Sequence, residues 1–151
     1  MAMQPMPDIA GLLPQRGAMV LLDELVAYDE RTIRCRAQSH RRRDNPLAHR
    51  GMLPAWAGVE YGAQAMAAHF ALSAGATGAM TVGLLGALRD VVCAVERLDD
   101  VASPLRIDAE RLSRDAAGSI YAFRITAEDD DRLLVHGRAT VVQQVRDPQA
   151  R

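Results

Sequence analysis

The chain has 151 residues, enough for one domain with a true core. Hydrophobic residues make up 49% and charged residues 25%, and a net charge of -1 gives no reason to expect nucleic acid as a partner. Aromatic residues are only 4%, too few for base-stacking platforms, and all 18 basic residues are arginine, which excludes lysine Schiff bases and the P-loop.

Residues 1–6 read as a loose terminus. The opening MAMQPMPD, with two prolines and an acid, lacks a basic-then-apolar export signal, so a cytoplasmic protein is expected. Asp8 can cap a short helical turn over Ile9 to Leu13, ended by Pro14. Met19 to Ala27 predicts a strand, followed by a turn at Asp29-Glu30. Thr32 to Gln38 alternates, with Ile33, Cys35 and Ala37 on one face and Arg34 and Arg36 on the other, so the pair predicts a hairpin. Ser39 to Gly51 is a polar, basic loop.

The stretch from Leu53 to Gly75 is the spine of the chain. Pro54 marks a helix start, and Ala55 to Ser73 is almost all Ala, Gly, Met, Val, Leu and aromatic, with no proline. Such a helix would run about 30 Å. Apolar character on all sides predicts burial on most of them. Glu60, Gln64 and His69 lie within the span, which argues against a membrane helix.

Gly75, Thr77 and Gly78 break the pattern, and Met80 to Val95 predicts one long, bent strand. After a connection over Leu98 to Pro104, Leu105, Ile107 and Ala109 alternate with Arg106, Asp108 and Glu110. A turn at Asp115 to Gly118 leads to a strand over Ser119 to Ala127, with Tyr121, Phe123 and Ile125 in phase. The acidic turn Glu128 to Asp131 precedes a last strand, Leu133 to Gln143, where Val135, Gly137, Ala139 and Val141 share a face. The final eight residues form a polar tail. The expected fold is α+β: residues 1–151 as one domain, with a core of about 8–143, in which a curved antiparallel sheet of five or six strands wraps one long central helix. Such a sheet leaves edges to be managed, and pairing two edges across a two-fold axis predicts a dimer.

Chemistry is sought first at Glu60. It lies one turn from Gln64, and a carboxylate on a buried helix is costly unless partnered or working. His49 stands eleven residues earlier. An imidazole and a carboxyl group flanking a dry cleft suit acid–base chemistry on a carbonyl compound, and the N–H groups near Ala55 to Ala57 could polarise the carbonyl oxygen. From the residues alone, a solvated His49 and a structural Glu60 stay open. Trp56, one turn before Glu60, fits core packing or the flat apolar wall of a tunnel. The run His40-Arg41-Arg42-Arg43, with Arg50 nearby, fits a solvated loop or a surface for an acidic protein or a phosphate. His69 reads as structural, with a cation suiting the end of the helix, and His136 as solvent-exposed. The histidines have no HxH or HxxxH grouping and Cys35 and Cys93 no CxxC spacing, so no metal site is expected.

Asn45-Pro46 followed by LPAWAGVEYGAQAMAAH resembles the central region of the hotdog-fold 3-hydroxyacyl-(acyl carrier protein) dehydratases. The opening LLPQRGAMVLLDELV is similar to that family's first segment and strand. Leu-Pro-Ala-Trp, with GLLGALR over Gly83 to Arg89, is most similar to the subgroup associated with aryl polyene biosynthesis. The resemblance implies Glu60 as catalytic acid, Gln64 as the glutamine that orients it and His49 as the only histidine placed to match the base. Pro54, Ala55, Trp56, Ala57 and Arg50 would bind substrate. It implies dehydration of a (3R)-3-hydroxyacyl thioester carried on the phosphopantetheine of an acyl carrier protein, with no metal or organic cofactor. It further implies an obligate dimer, homo- or heterodimeric, whose acid and base come from opposite protomers. The family's Gly-His-Phe-Pro is absent: His49 lies between Ala48 and Arg50, in a shortened loop. Gln15 replaces the N-terminal histidine, and Ala55 the glycine after the helix-opening proline. A thioesterase on the same scaffold, with Glu60 activating water, and a non-catalytic subunit of a heterodimeric dehydratase are the alternatives.

Overall fold

A computed structural model describes residues 6–74 and 80–146, with side chains over 6–73 and 85–142. Its order is β1 (Glu24–Tyr28), β2 (Thr32–Ala37), α1 (Gly58–Ala74), β3 (Met80–Cys93), β4 (Leu105–Arg114), β5 (Gly118–Ala127) and β6 (Leu133–Arg146), with short 3-10 turns at Ile9–Leu12, Gly17–Met19, Ser39–Arg41 and Ala55–Ala57. The strands form a six-stranded sheet in the order β1-β2-β4-β5-β6-β3, every neighbouring pair antiparallel. The expected break at Gly75, Thr77 and Gly78, and the outermost parts of both expected tails, lie outside the described residues.

The two-residue alternation of the strands gives the sheet one apolar face. Ile33, Cys35, Ile107, Phe123, Ile125 and Val135 are buried on it, and α1 covers it with Tyr61, Ala65, Met66 and Ala68. The opposite face carries ion pairs, including Arg34–Asp108 at 2.7 Å and Arg36–Glu128 at 3.1 Å. Register shifts in every pair except β2–β4 curve the sheet round the helix, and Asp90 takes a positive φ of 54° within the second shift of β3.

Small residues let the helix sit close. A Cβ on Gly62 would lie 2.6 Å from Phe123 Cδ2, and one on Gly58 2.9 Å from Val135 Cγ2. From the sheet side, a Cβ on Gly137 would meet Phe123 Cζ at 3.1 Å. The Phe123 ring is thus held between a helix glycine and a strand glycine, which sets the height of α1 above the sheet and so the place of Glu60, two residues before Gly62.

Two expectations change. The first strand starts at Glu24 rather than Met19, because Gln64 on the helix binds the Leu21 N–H and the Met19 carbonyl, removing both from sheet pairing. The helix opens with a 3-10 turn at Ala55–Ala57 and becomes α-helical only at Gly58. Among the described residues, no helix is long and apolar enough to cross a membrane.

Candidate active site

The start of α1 is pinned from both sides before any catalytic group appears. Segment 52–55 lies against 96–99: the Leu98 N–H donates to Leu53 O at 2.8 Å and the Ala55 N–H to Glu96 O at 3.0 Å. The Asp99 carboxylate accepts from the Leu53 N–H at 2.9 Å. Arg97, whose Nε donates to the same oxygen at 3.0 Å, holds that carboxyl down at about 2, with the Leu53 N–H adding to the effect. On the other side, buried Asn45 donates to Ser39 O at 2.9 Å and to the Tyr61 hydroxyl at 3.1 Å, and the Tyr61 and Ser39 hydroxyls meet at 2.7 Å. Burial pushes the Tyr61 phenol above its ordinary range, so it stays a neutral hydrogen-bonding group. This network fastens the 39–47 loop to the first full turn of the helix.

Glu60 is half-buried in that turn. Its Oε1 accepts from Gln64 Nε2 and from Gln15 Nε2, each at 3.3 Å. Gln64 is wholly buried and locked at both ends: its oxygen accepts from the Leu21 N–H at 2.9 Å and its nitrogen also donates to Met19 O at 2.7 Å. Oε2 of Glu60 takes no hydrogen bond from the described residues and is not among the buried atoms left without a partner, so it reaches solvent. Both groups that touch the carboxyl are neutral amides, and no described ion pair involves it.

The other candidates are arranged differently. His49 is exposed, its backbone forms a tight hairpin with Met52 (N···O 2.8 and 3.0 Å), and no imidazole of the described residues is within hydrogen-bond distance of Glu60. Arg50 next to it is exposed, with a positive φ of 51°. Trp56 does not join the core; it is 61% exposed, with Met52 nearby in sequence also exposed. Ala55 and Ala57 are buried and their N–H groups are already taken, by Glu96 O and by Pro54 O at the start of the turn, and the Trp56 N–H has no backbone partner among the described residues. Pro54 caps that turn in extended conformation.

Of the remaining histidines, His69 is structural as its sequence reading has it but not as a cation, and His40 and His136 are more buried than read. His40 is not part of a solvated basic run but buried, with Nε2 3.0 Å from Val101 O, and burial pushes its pKa down. Arg41 reaches Ala102 O and Arg42 pairs with Asp44 at 2.7 Å. His69 lies in the body of α1 and is fully buried. Its Nε2 donates to Asp29 O at 2.9 Å, and its Nδ1 accepts from the Tyr121 hydroxyl at 2.6 Å. Burial lowers its pKa too, so it is neutral and structural rather than a cation serving the helix end. His136 is half-buried, at the wall of a hollow of about 880 Å³ on the outer face of the sheet that Glu60 does not line. Cys35 is buried and its thiol is pushed up to about 12 by desolvation, which leaves it inert. Gln15 and Asn45 are marked in the sequence only through the resemblance, and the hydrogen bonds they make, like those of Ser39 and Tyr61, join residues 6 to 45 positions apart and have no local signature.

A curved antiparallel sheet wrapped around one central helix is the build of the hotdog fold. The chain belongs to the ApeP-like family, described as ApeP dehydratase, which it matches over residues 7–150. Among solved structures it is similar to the dehydratase heterocomplex ApeI:P from Xenorhabdus doucetiae, at 24% identity and TM-score 0.79 over 93% of each chain. It is also similar to a thioesterase from Haemophilus influenzae (14% identity, TM-score 0.62, 84% of this chain and 82% of that one). A hypothetical thioesterase from Streptococcus pneumoniae, solved with coenzyme A, matches at 13% identity and TM-score 0.60, over 82% and 86% of the two chains. No curated protein matches. The chain is thus a hotdog dehydratase by family, and the thioesterases share its fold.

Proposed function

We propose that this chain removes water from a (3R)-3-hydroxyacyl thioester presented by an acyl carrier protein, in synthesis of the aryl polyene type. Glu60 is the acid that protonates the leaving hydroxyl, and Gln64 orients it. The observation that carries this reading is the tethered carboxyl: one oxygen held by amides, the other open to solvent, on the rigid first turn of the central helix. In elimination the α-carbon loses its proton to a base, the enoyl double bond forms, and the C3–O bond breaks as Glu60 supplies the proton that turns hydroxide into water. His49 is the candidate base and acts across a subunit boundary, since no imidazole approaches Glu60 within one chain.

A paired subunit is supported by the sheet itself. β3 is an edge strand of 14 residues with Leu85, Leu88 and Val92 exposed, a surface that monomers rarely leave open. The similar ApeI:P structure is a heterocomplex, which favours a second, related subunit over a lone homodimer. Arg43 and Arg50, exposed near the His49 hairpin, offer positive charge to the acidic carrier protein or to the phosphate of its arm. Exposed Trp56 forms a flat wall beside Glu60 for the acyl or aryl group. The protein works in the cytoplasm, without metal or organic cofactor.

The exposed position of His49 favours one further reading: this chain serves as the non-catalytic half of a heterodimer. A single assay separates the two and the thioesterase. The purified chain, alone and with a related active dehydratase subunit, is given a 3-hydroxydecanoyl thioester, and enoyl absorbance and free thiol are followed together. Enoyl product that disappears in Glu60→Ala, with the assembly intact, supports Glu60 as acid. Thiol release without enoyl product indicates hydrolysis, and unchanged enoyl formation in Glu60→Ala within the complex indicates a structural subunit.

A further inference from the structure

The two oxygens of Glu60 are not equivalent. Among the described residues Oε1 accepts two amide N–H groups and Oε2 none, and Oε2 reaches solvent. An oxygen that already accepts two donors is the poorer site for a proton, because its lone pairs are engaged and the donors favour negative charge there. Of the two amides, Gln64 is also committed to the Met19–Leu21 backbone and is needed to hold that segment. Gln15 is different. Its carbonyl oxygen is buried with no partner, and its only described side-chain hydrogen bond is the one to Glu60. A flipped amide would set its oxygen against the carboxylate, so the N–H is held toward Glu60 even though the carbonyl is left unpaired, with no competing bond at that end.

We propose that Gln15 is a positioning residue for Glu60: together with Gln64 it anchors Oε1, so that Oε2 is the oxygen that carries the proton to the leaving hydroxyl. This rests on the reading of Glu60 as the catalytic acid. The anchor comes from outside the helix, from the segment before the first strand, so that Oε1 is held from two separate parts of the chain rather than by the helix alone. Removal of Gln15 leaves the carboxyl free to present either oxygen and takes one donor from its charged form.

The test uses the full chain in its active complex, with Gln15→Met, which keeps the length and apolar bulk, and Gln15→Glu, which puts a second carboxyl beside the first. Gln15→Met is expected to lower kcat about ten-fold, the worth of one charge-assisted hydrogen bond, with KM within about two-fold. Losing a donor to the ionised form moves the high-pH limb of the kcat profile to higher pH, and the like charge in Gln15→Glu moves it further. A role confined to packing would lower the melting temperature without producing that order. Independently of turnover, the carbon-13 signal of the Glu60 side-chain carboxyl, assigned by its disappearance in Glu60→Gln, should change position in Gln15→Met at fixed pH, because one of its two amide donors is gone. If Gln15→Glu fails to assemble, the direction in Gln15→Met decides. An unmoved Glu60 carboxyl signal, or a Gln15→Met enzyme with wild-type kcat and pH profile, overturns the proposal. Full dehydration by Glu60→Gln would instead overturn the reading of Glu60 as acid, whatever the Gln15 variants do.

Discussion

Replacing Gly62 by alanine sets a local preference against a steric one. In a helix interior alanine is favoured over glycine by about 1 kcal/mol. The added Cβ, however, would sit 2.6 Å from Phe123 Cδ2 and 2.9 Å from its Cγ. An unstrained carbon–carbon contact is about 3.5–4.0 Å, so ring and helix must part by about 1 Å. The ring has little room to retreat, because its far edge already packs on Gly137, where a Cβ would lie 3.1 Å from Cζ. Overpacking of this kind costs about 1–3 kcal/mol, and the short contact places it at the upper end. The net expectation is a loss of about 1–2 kcal/mol, read as a lower urea midpoint with unchanged slope at one fixed protein concentration. Phe123→Leu trims the ring, so a double-mutant cycle should show a favourable coupling of about 1 kcal/mol between the two changes. The same displacement moves Glu60, and a shift of about 1 Å can lower turnover about 100-fold. A Gly62→Ala protein as stable as wild type, with an additive cycle, would refute the claim that Phe123 sets the height of the helix.

Other outcomes follow from the same contacts. Asp99→Ala leaves the Leu53 N–H without its acceptor and frees Arg97, so a loss of about 1–2 kcal/mol is expected in denaturant, together with weaker dehydration because the start of α1 loosens. His69, neutral when folded, has its pKa lowered from the model-compound value of 6.5, so the unfolded chain takes up the proton first. Stability is therefore full above about 6.5 and declines as the pH falls from there toward the lower folded value, an effect to which buried His40 adds. Thermal melts from pH 8 to about 5 should show this decline, and His69→Gln should flatten part of it. Leu88→Arg on the exposed edge strand should shift the assembly toward monomer in analytical ultracentrifugation, with the far-ultraviolet spectrum unchanged. Retention of the full assembly would place the interface elsewhere.

The architecture was legible because it is written in short-range periodicity. Strict alternation at Thr32–Gln38, Leu105–Glu110 and Tyr121–Ile125 corresponds to β2, β4 and β5, and the proline-led run of small apolar residues corresponds to α1. Those patterns need only the chain's own geometry, a two-residue or 3.6-residue repeat against one apolar layer. The odd carboxylate and glutamine within the helix were visible for the same reason, as polar residues one turn apart on an apolar rod. What the repeat pattern does not encode is who meets whom across the fold. Met19 to Asp23 has strand composition, yet a side chain 43 residues away claims the Leu21 N–H. Trp56 sits among core-type residues in the sequence, where core packing and a tunnel wall both fit, and stands exposed in the 3-10 turn that opens the helix. His40 reads as part of a basic loop and is buried against Val101. Local pattern settled the elements, because each is stabilised along its own length. Contacts between distant segments settled the surroundings of Glu60, because a hydrogen bond forms between whichever donor and acceptor packing brings together, however far apart they lie along the chain.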